Sequence, residues 1–211
     1  MPSANFISWN INRANSDAAP QLIKFMSDAS PWDIIMIQES LNWATDLDAG
    51  MSHRIISSCT DFPAALIIHS RHVLSIRWYT RFRFGCACVI GPDDNLWFIA
   101  SLYLPCSNHG LDLFEEALSA MSDTVASVPR YLTPKHTVIG CDANTELVHI
   151  PYLAEHVGHI CTGTRATDRT LAFALHLPAW GLKATNTFPS AAAFPCAESP
   201  EGWTHHHYFH H

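Results

Sequence analysis

Asp33-Ile34-Ile35-Met36-Ile37-Gln38-Glu39 decides how the rest of the chain is read. Ile34 to Ile37 are four apolar residues in a row, with no alternation of polar and apolar positions. A run so short and so apolar predicts a strand covered on both faces. It passes directly into an amide and a carboxylate. An apolar strand running into a polar end then recurs along the chain. Asn5 to Asn10 reads as a strand, and Thr137 to Gly140 as a buried one that leads into Cys141-Asp142-Ala143-Asn144. Ala64 to His69, Phe84 to Ile90 and Trp97 to Leu104 read as further strands. The last two are separated by a turn at Gly91-Pro92-Asp93-Asp94-Asn95.

Helical periodicity fills the intervals. Ser16 and Asp17 are candidate N-caps, Pro20 suits a first turn, and Leu22, Phe25, Met26 and Ala29 share one helical face. From about Asp112 to Val128 a stripe of Leu111, Phe114, Leu118, Met121, Val125 and Val128 predicts a second helix. Thr167 to about Leu177 predicts a third, with Pro178 expected to end or kink it. Thr185 to Pro189 and Trp203 onward look like strand starts divided by a Pro- and Ala-rich loop. Strands mixed with covering helices indicate an α/β (α+β) domain built in layers.

Composition bounds the function. The 211 residues are 48% hydrophobic and 15% charged, a globular balance long enough for a sizeable core. No apolar run approaches the roughly 20 residues of a membrane span. No basic flank precedes a hydrophobic stretch at the N-terminus, so an intracellular protein without a signal peptide is expected. Seven cysteines, an odd number with no C-x-x-C pair, read as reduced thiols. A net charge of −7 argues against a free-standing binder of nucleic-acid backbone, though an acidic cleft that holds cations tolerates it.

Chemistry gathers at the strand ends: Asn10, Glu39, Tyr103, and Asp142 with Asn144. Taken singly, Glu39 reads as a solvated loop residue and Asp142 as a turn-forming one. Recurrence at successive strand ends points instead to one cleft. Carboxylate and amide oxygens are what a hard cation such as Mg²⁺ takes, usually while keeping several waters.

Ser8-Trp9-Asn10-Ile11, Asp33 to Glu39, Ser101-Leu102-Tyr103-Leu104-Pro105 and Ile139-Gly140-Cys141-Asp142-Ala143-Asn144 together resemble the endonuclease/exonuclease/phosphatase superfamily, the DNase-I-like fold. The resemblance covers roughly residues 4 to 205. In flavour the segments are similar to endonuclease domains of non-LTR retrotransposon polyproteins. It implies a four-layer sandwich of two mixed β-sheets flanked by helices, with a cleft at one edge and DNA as a substrate partner. Other domains of a larger polyprotein are implied partners too, and no membrane. Glu39 matches the metal-binding glutamate, and Asn10 the asparagine beside that metal, with Mg²⁺ as cofactor and Mn²⁺ as the alternative. Tyr103 matches an aromatic position near the scissile phosphate. Asp142 matches the aspartate that positions or deprotonates the attacking water, and Asn144 an amide that holds phosphate oxygens.

The sequence also departs from the pattern. The family carries an aspartate in a late Arg-Ile-Asp-Tyr-like strand and then a Ser-Asp-His triplet. Neither occurs, since Ser27-Asp28 and Ser122-Asp123 are followed by Ala29 and Thr124. The expectation is therefore a domain over residues 1–204 that lacks its last strands, followed by a His-rich tail over residues 205–211. A tail imidazole replacing the missing base is one reading of that tail; a frayed end is the other. A Mg²⁺-dependent endonuclease, impaired by loss of that histidine, is the leading functional expectation. An inactive remnant of the same fold and a phosphatase of the same superfamily are the alternatives.

Overall fold

The computed structural model describes residues 5–11, 21, 24, 31–40, 53–58, 61–158, 161 and 163–184. Among these, eight strands form two mixed sheets. The first holds β1 (Phe6–Asn10), β2 (Ile34–Gln38), β3 (Arg54–Ser57) and β4 (Ala64–Ile68) in the order β1-β2-β4-β3. The second holds β5 (Ile76–Phe82), β6 (Gly85–Ile90), β7 (Trp97–Tyr103) and β8 (His136–Asp142) in sequence order. Each sheet has one parallel pair, β1 with β2 and β7 with β8, and its other pairs are antiparallel. The decisive apolar run is β2, and all five of its residues are buried.

The sheets pack face to face. Phe6, Ile34, Met36 and Leu66 of the first meet Cys88, Ile90, Ile99 and Val138 of the second. On the outer side of the second sheet lie α2 (Leu111–Ala126) and α3 (Asp168–Ala179), which follow a short helix α1 (Ser70–Val73). Phe114, Leu118 and Met121 of α2 and Phe173 and Leu177 of α3 pack over Ala87, Phe98, Ala100 and Ile139. Burying one such large side chain contributes about 1.5–3 kcal/mol, so this outer core is a main source of the layer's stability. The outer face of the first sheet is buried as well, at Trp9, Ile35, Ile37, Ile55 and Ile67.

The structure departs from expectation in three places. β3 and β5 were not anticipated. β3 has only two apolar residues, and β5 is an edge strand whose Arg77 and Tyr79 are exposed between half-buried neighbours. Pro178 does not end α3, which continues to Ala179. What stops it is Gly181, in the left-handed region at φ 68°. The Gly181 N–H donates to the Pro178 carbonyl at 3.0 Å and the Leu182 N–H to the Leu177 carbonyl at 2.8 Å. That is the Schellman pattern of a helix end, and proline in a last turn does not disturb it. The expected helix face at Leu22 to Ala29, the strand starts at Thr185 and Trp203, and the tail 205–211 lie outside the described residues. No helix among the described residues is long and apolar enough to cross a membrane.

Candidate functional site

Parallel pairing puts the ends of β1 and β2 side by side, and likewise those of β7 and β8. In the first pair Asn10 stands opposite Gln38, and in the second Tyr103 stands opposite Asp142. Close packing of the two sheets then brings both pairs together. Gly140 makes this approach possible, because a Cβ there would lie 2.5 Å from the Met36 Cβ and 2.7 Å from the Ser8 Oγ.

Asn10 is the meeting point. Its buried amide Nδ2 donates to Glu39 Oε1 at 3.1 Å and to Asp142 Oδ2 at 2.6 Å. Two carboxylates from different sheets thus share one nitrogen, and their presence fixes which end of the amide faces them. Asp142 Oδ1 accepts the Asn144 N–H at 3.2 Å. Asn144 donates through Nδ2 to the Leu104 carbonyl at 2.7 Å, and its side chain lies near the Tyr103 hydroxyl. Burial, with the negative charges of Glu39 and Asp142, holds the Tyr103 phenol well above its ordinary pKa. Tyr103 therefore stays a neutral hydroxyl group across the physiological range. All five residues singled out in the sequence lie in this one cluster.

Two backbone positions here are strained. Glu39 has φ 59° and Asn144 φ 45°, left-handed values that carry a cost for residues with a Cβ. Asparagine tolerates that region well, glutamate less so. Glu39 follows the last residue of β2 directly, and its left-handed turn takes the chain out of the strand direction at the cluster.

Beneath the cluster lies a polar layer that sequence reasoning did not assign. Gln38 is fully buried; its Oε1 accepts from Ser8 Oγ at 3.3 Å and its Nε2 donates to Ser101 Oγ at 3.1 Å. Ser101 Oγ donates in turn to the Ile37 carbonyl at 2.7 Å. These bonds tie β1, β2 and β7 together one or two residues below the cluster. The available sequence signal was a polar residue ending an otherwise apolar run.

Two further neighbours were also missed. Phe62 stacks near Tyr103, with ring centroids 6.1 Å apart, and also meets Phe84 at 4.9 Å and His109 at 5.6 Å. Arg83 lies over the Phe62 ring at 5.5 Å and pairs with Glu116 at 3.1 Å. A groove of about 440 Å³ lined by Arg77, Asp93, Leu96, Tyr131 and Leu132 lies at the opposite ends of the strands and belongs to a different surface.

The donor set suits a hard cation. Glu39, Asp142 and the amide of Asn10 offer oxygens, and Glu39 is partly exposed. Among the described residues no group of three or more His, Cys, Asp or Glu side chains is disposed to hold a metal.

No family model matches the sequence, and no curated protein matches it. Solved structures do. The endonuclease domain of TRAS1, a telomere-specific non-LTR retrotransposon, superposes with TM-score 0.53 at 13% identity, covering 85% of this chain and 71% of that one. The AP endonuclease LMAP from Leishmania major gives 0.54 at 14%, over 84% and 67%. The 3′ phosphatase NExo from Neisseria, bound to a product DNA hairpin, gives 0.55 at 14%, over 87% and 73%. At such identity the likeness speaks to architecture. The chain has the DNase-I-like fold, the fold of the superfamily that its strand-end motifs resemble.

Proposed function

We propose that this DNase-I-like chain is a metal-dependent phosphodiesterase whose substrate is DNA, cut internally. The observation that carries the reading is the single Asn10 amide hydrogen-bonded to Glu39 and Asp142 at the meeting of two parallel strand pairs. Phosphoryl transfer needs little covalent help from a protein; positioning and charge stabilisation supply most of the effect. Glu39 and the Asn10 amide oxygen would hold Mg²⁺, with Mn²⁺ as a substitute. When bound, the ion would supply charge to offset that developing on the phosphate oxygens.

The chain's own groups divide the remaining work. Asp142, its carboxylate oriented by Asn10 and by the Asn144 N–H, holds the attacking water and takes its proton. Tyr103 remains protonated and donates a hydrogen bond toward a phosphate oxygen. Asn144 contributes its side-chain amide to the same oxygens. The sequence contains no Ser-Asp-His triplet. A missing general acid–base group costs about 10²- to 10⁴-fold, so slow turnover is expected.

The structural neighbours support DNA as the substrate class: two are named as endonucleases and one is bound to a DNA product. The third is named as a 3′ phosphatase, which favours phosphomonoester removal as a second reading. A duplex oligonucleotide with a 3′-phosphate and a label at the 5′ end separates them. Internal cleavage yields shortened labelled strands, whereas phosphatase action leaves length unchanged and releases inorganic phosphate. Release of phosphate without shortening would replace the endonuclease reading by the phosphatase one.

A further inference from the structure

The loop between β7 and α2 carries side chains that the proposed reaction leaves unused. Cys106-Ser107-Asn108-His109 forms a turn closed by the His109 N–H, which donates to the Cys106 carbonyl at 3.0 Å. Such a turn brings the first and fourth side chains together. The Cys106 thiol donates to Asn108 Oδ1 at 2.8 Å, and its Sγ lies 3.6 Å from His109 Nδ1.

Surrounding contacts fix this arrangement from both sides. Arg169 of α3 donates to the Pro105, His109 and Gly110 carbonyls, and its guanidinium sits 4.9 Å over the Phe114 ring. The His109 ring packs edge-on against Phe62. Of the described cysteines, Cys86, Cys88 and Cys141 are buried, whereas Cys106 and Cys161 are partly exposed.

Zinc binds thiolate at about 2.3 Å and imidazole nitrogen at about 2.0–2.1 Å in tetrahedral geometry, which sets the two donor atoms roughly 3.5 Å apart. The 3.6 Å between Sγ and Nδ1 matches that bite in distance, and loss of the thiol proton frees Sγ from Asn108. We propose that Cys106 and His109 form a two-ligand site for a soft or borderline divalent cation of the zinc class. It is separate from the oxygen donors of Asn10, Glu39 and Asp142 and stands beside Tyr103. Water or an incoming ligand fills the remaining positions. Binding exchanges the thiol proton for the metal: Cys106–SH and Zn²⁺ give the metal thiolate and a proton released to solvent. Occupancy therefore rises with pH. The proposal stands whether or not the chain cleaves DNA.

Cobalt(II) tests it on the full chain, because thiolate–cobalt charge transfer absorbs in the near ultraviolet and histidine-only sites do not show it. The wild type is expected to show the band, and Cys106→Ser to lose it while keeping its circular-dichroism spectrum. Second-sphere changes alone cost about 10- to 100-fold in metal affinity, so His109→Gln is expected to weaken binding at least that much. Stoichiometric Zn²⁺ should also shield Cys106 from iodoacetamide, as read by peptide mass spectrometry. No band, a band unchanged in Cys106→Ser, affinity indifferent to His109→Gln, or alkylation of Cys106 unaffected by Zn²⁺ would each overturn the site.

Discussion

The Asn10 amide is the smallest unit on which the account rests. It separates two carboxylates that would otherwise face each other across the sheet interface, and it orients both. Glu39 occupies a left-handed conformation that costs about 1–2 kcal/mol for an L-residue. Glu39→Gly removes that strain along with one hydrogen bond worth about 1 kcal/mol. The variant is expected to resist urea as well as the parent does while losing metal-dependent cleavage. A large fall in the urea midpoint would show that Glu39 serves the fold instead. Asp142→Asn keeps the size of the side chain and removes its basicity, so cleavage should fall by about 10²- to 10⁴-fold, measured by single-turnover kinetics. These residues were legible because each ends an apolar run with a group that apolar runs do not ordinarily carry. Cys106 and His109 were not legible, since a loop sequence does not reveal that its turn closes or that Arg169 braces it.

At the scale of elements, the site depends on how closely the two sheets approach. Gly140 lies two residues before Asp142 on β8, with Met36 and Ser8 of the facing sheet against it. Overpacking of this kind typically costs about 1–3 kcal/mol. Gly140→Ala is expected to destabilise by that amount and to spread Asp142 from Asn10. Denaturant unfolding and a matched cleavage assay check both effects. An alanine variant with unchanged stability and activity would mean that the sheets do not meet as described. The Gln38 layer offers a second test. Gln38→Leu strands the Ser8 hydroxyl in the core, at about 1–3 kcal/mol for a buried group left unsatisfied, while Ser101 keeps its bond to the Ile37 carbonyl; the urea midpoint checks the loss. Central strands were readable from their unbroken apolar runs. The edge strands β3 and β5 were not: β3 is too short, with two apolar residues, and one-sided burial gives β5 an alternating pattern that a loop shares.

Across the whole molecule, the end opposite the site holds a second charged cluster. Asp33 is almost fully buried and accepts from the Asn5 N–H at 2.8 Å, from Arg71 and from His72. Nearby, His69 packs edge-on against His53 and Trp32. Burial, followed by the charges of His53, Arg71 and His72, holds His69 below its ordinary value of 6.5, while Asp33 opposes them. In the unfolded chain His69 takes up a proton near pH 6.5, before the folded one does. Stability is thus complete above about pH 6.5 and declines as pH falls below it. Asp33 titrates below its ordinary 3.8, because its three hydrogen-bond partners outweigh burial, so it does not enter this window. Urea midpoints should drop between pH 7.5 and 5.5 and drop less in His69→Gln. Architecture at this scale was accessible only through the ordered set of motifs, because at 13–14% identity no single stretch carries the fold.

Nicking of supercoiled plasmid by the purified chain in Mg²⁺, with Glu39→Gln assayed beside it, bears most directly on the central claim. Relaxed circles that form slowly with the wild type, and that vanish with EDTA and with Glu39→Gln, are the predicted result. Intact plasmid from a folded wild-type sample, or nicking that persists in Glu39→Gln, would contradict it.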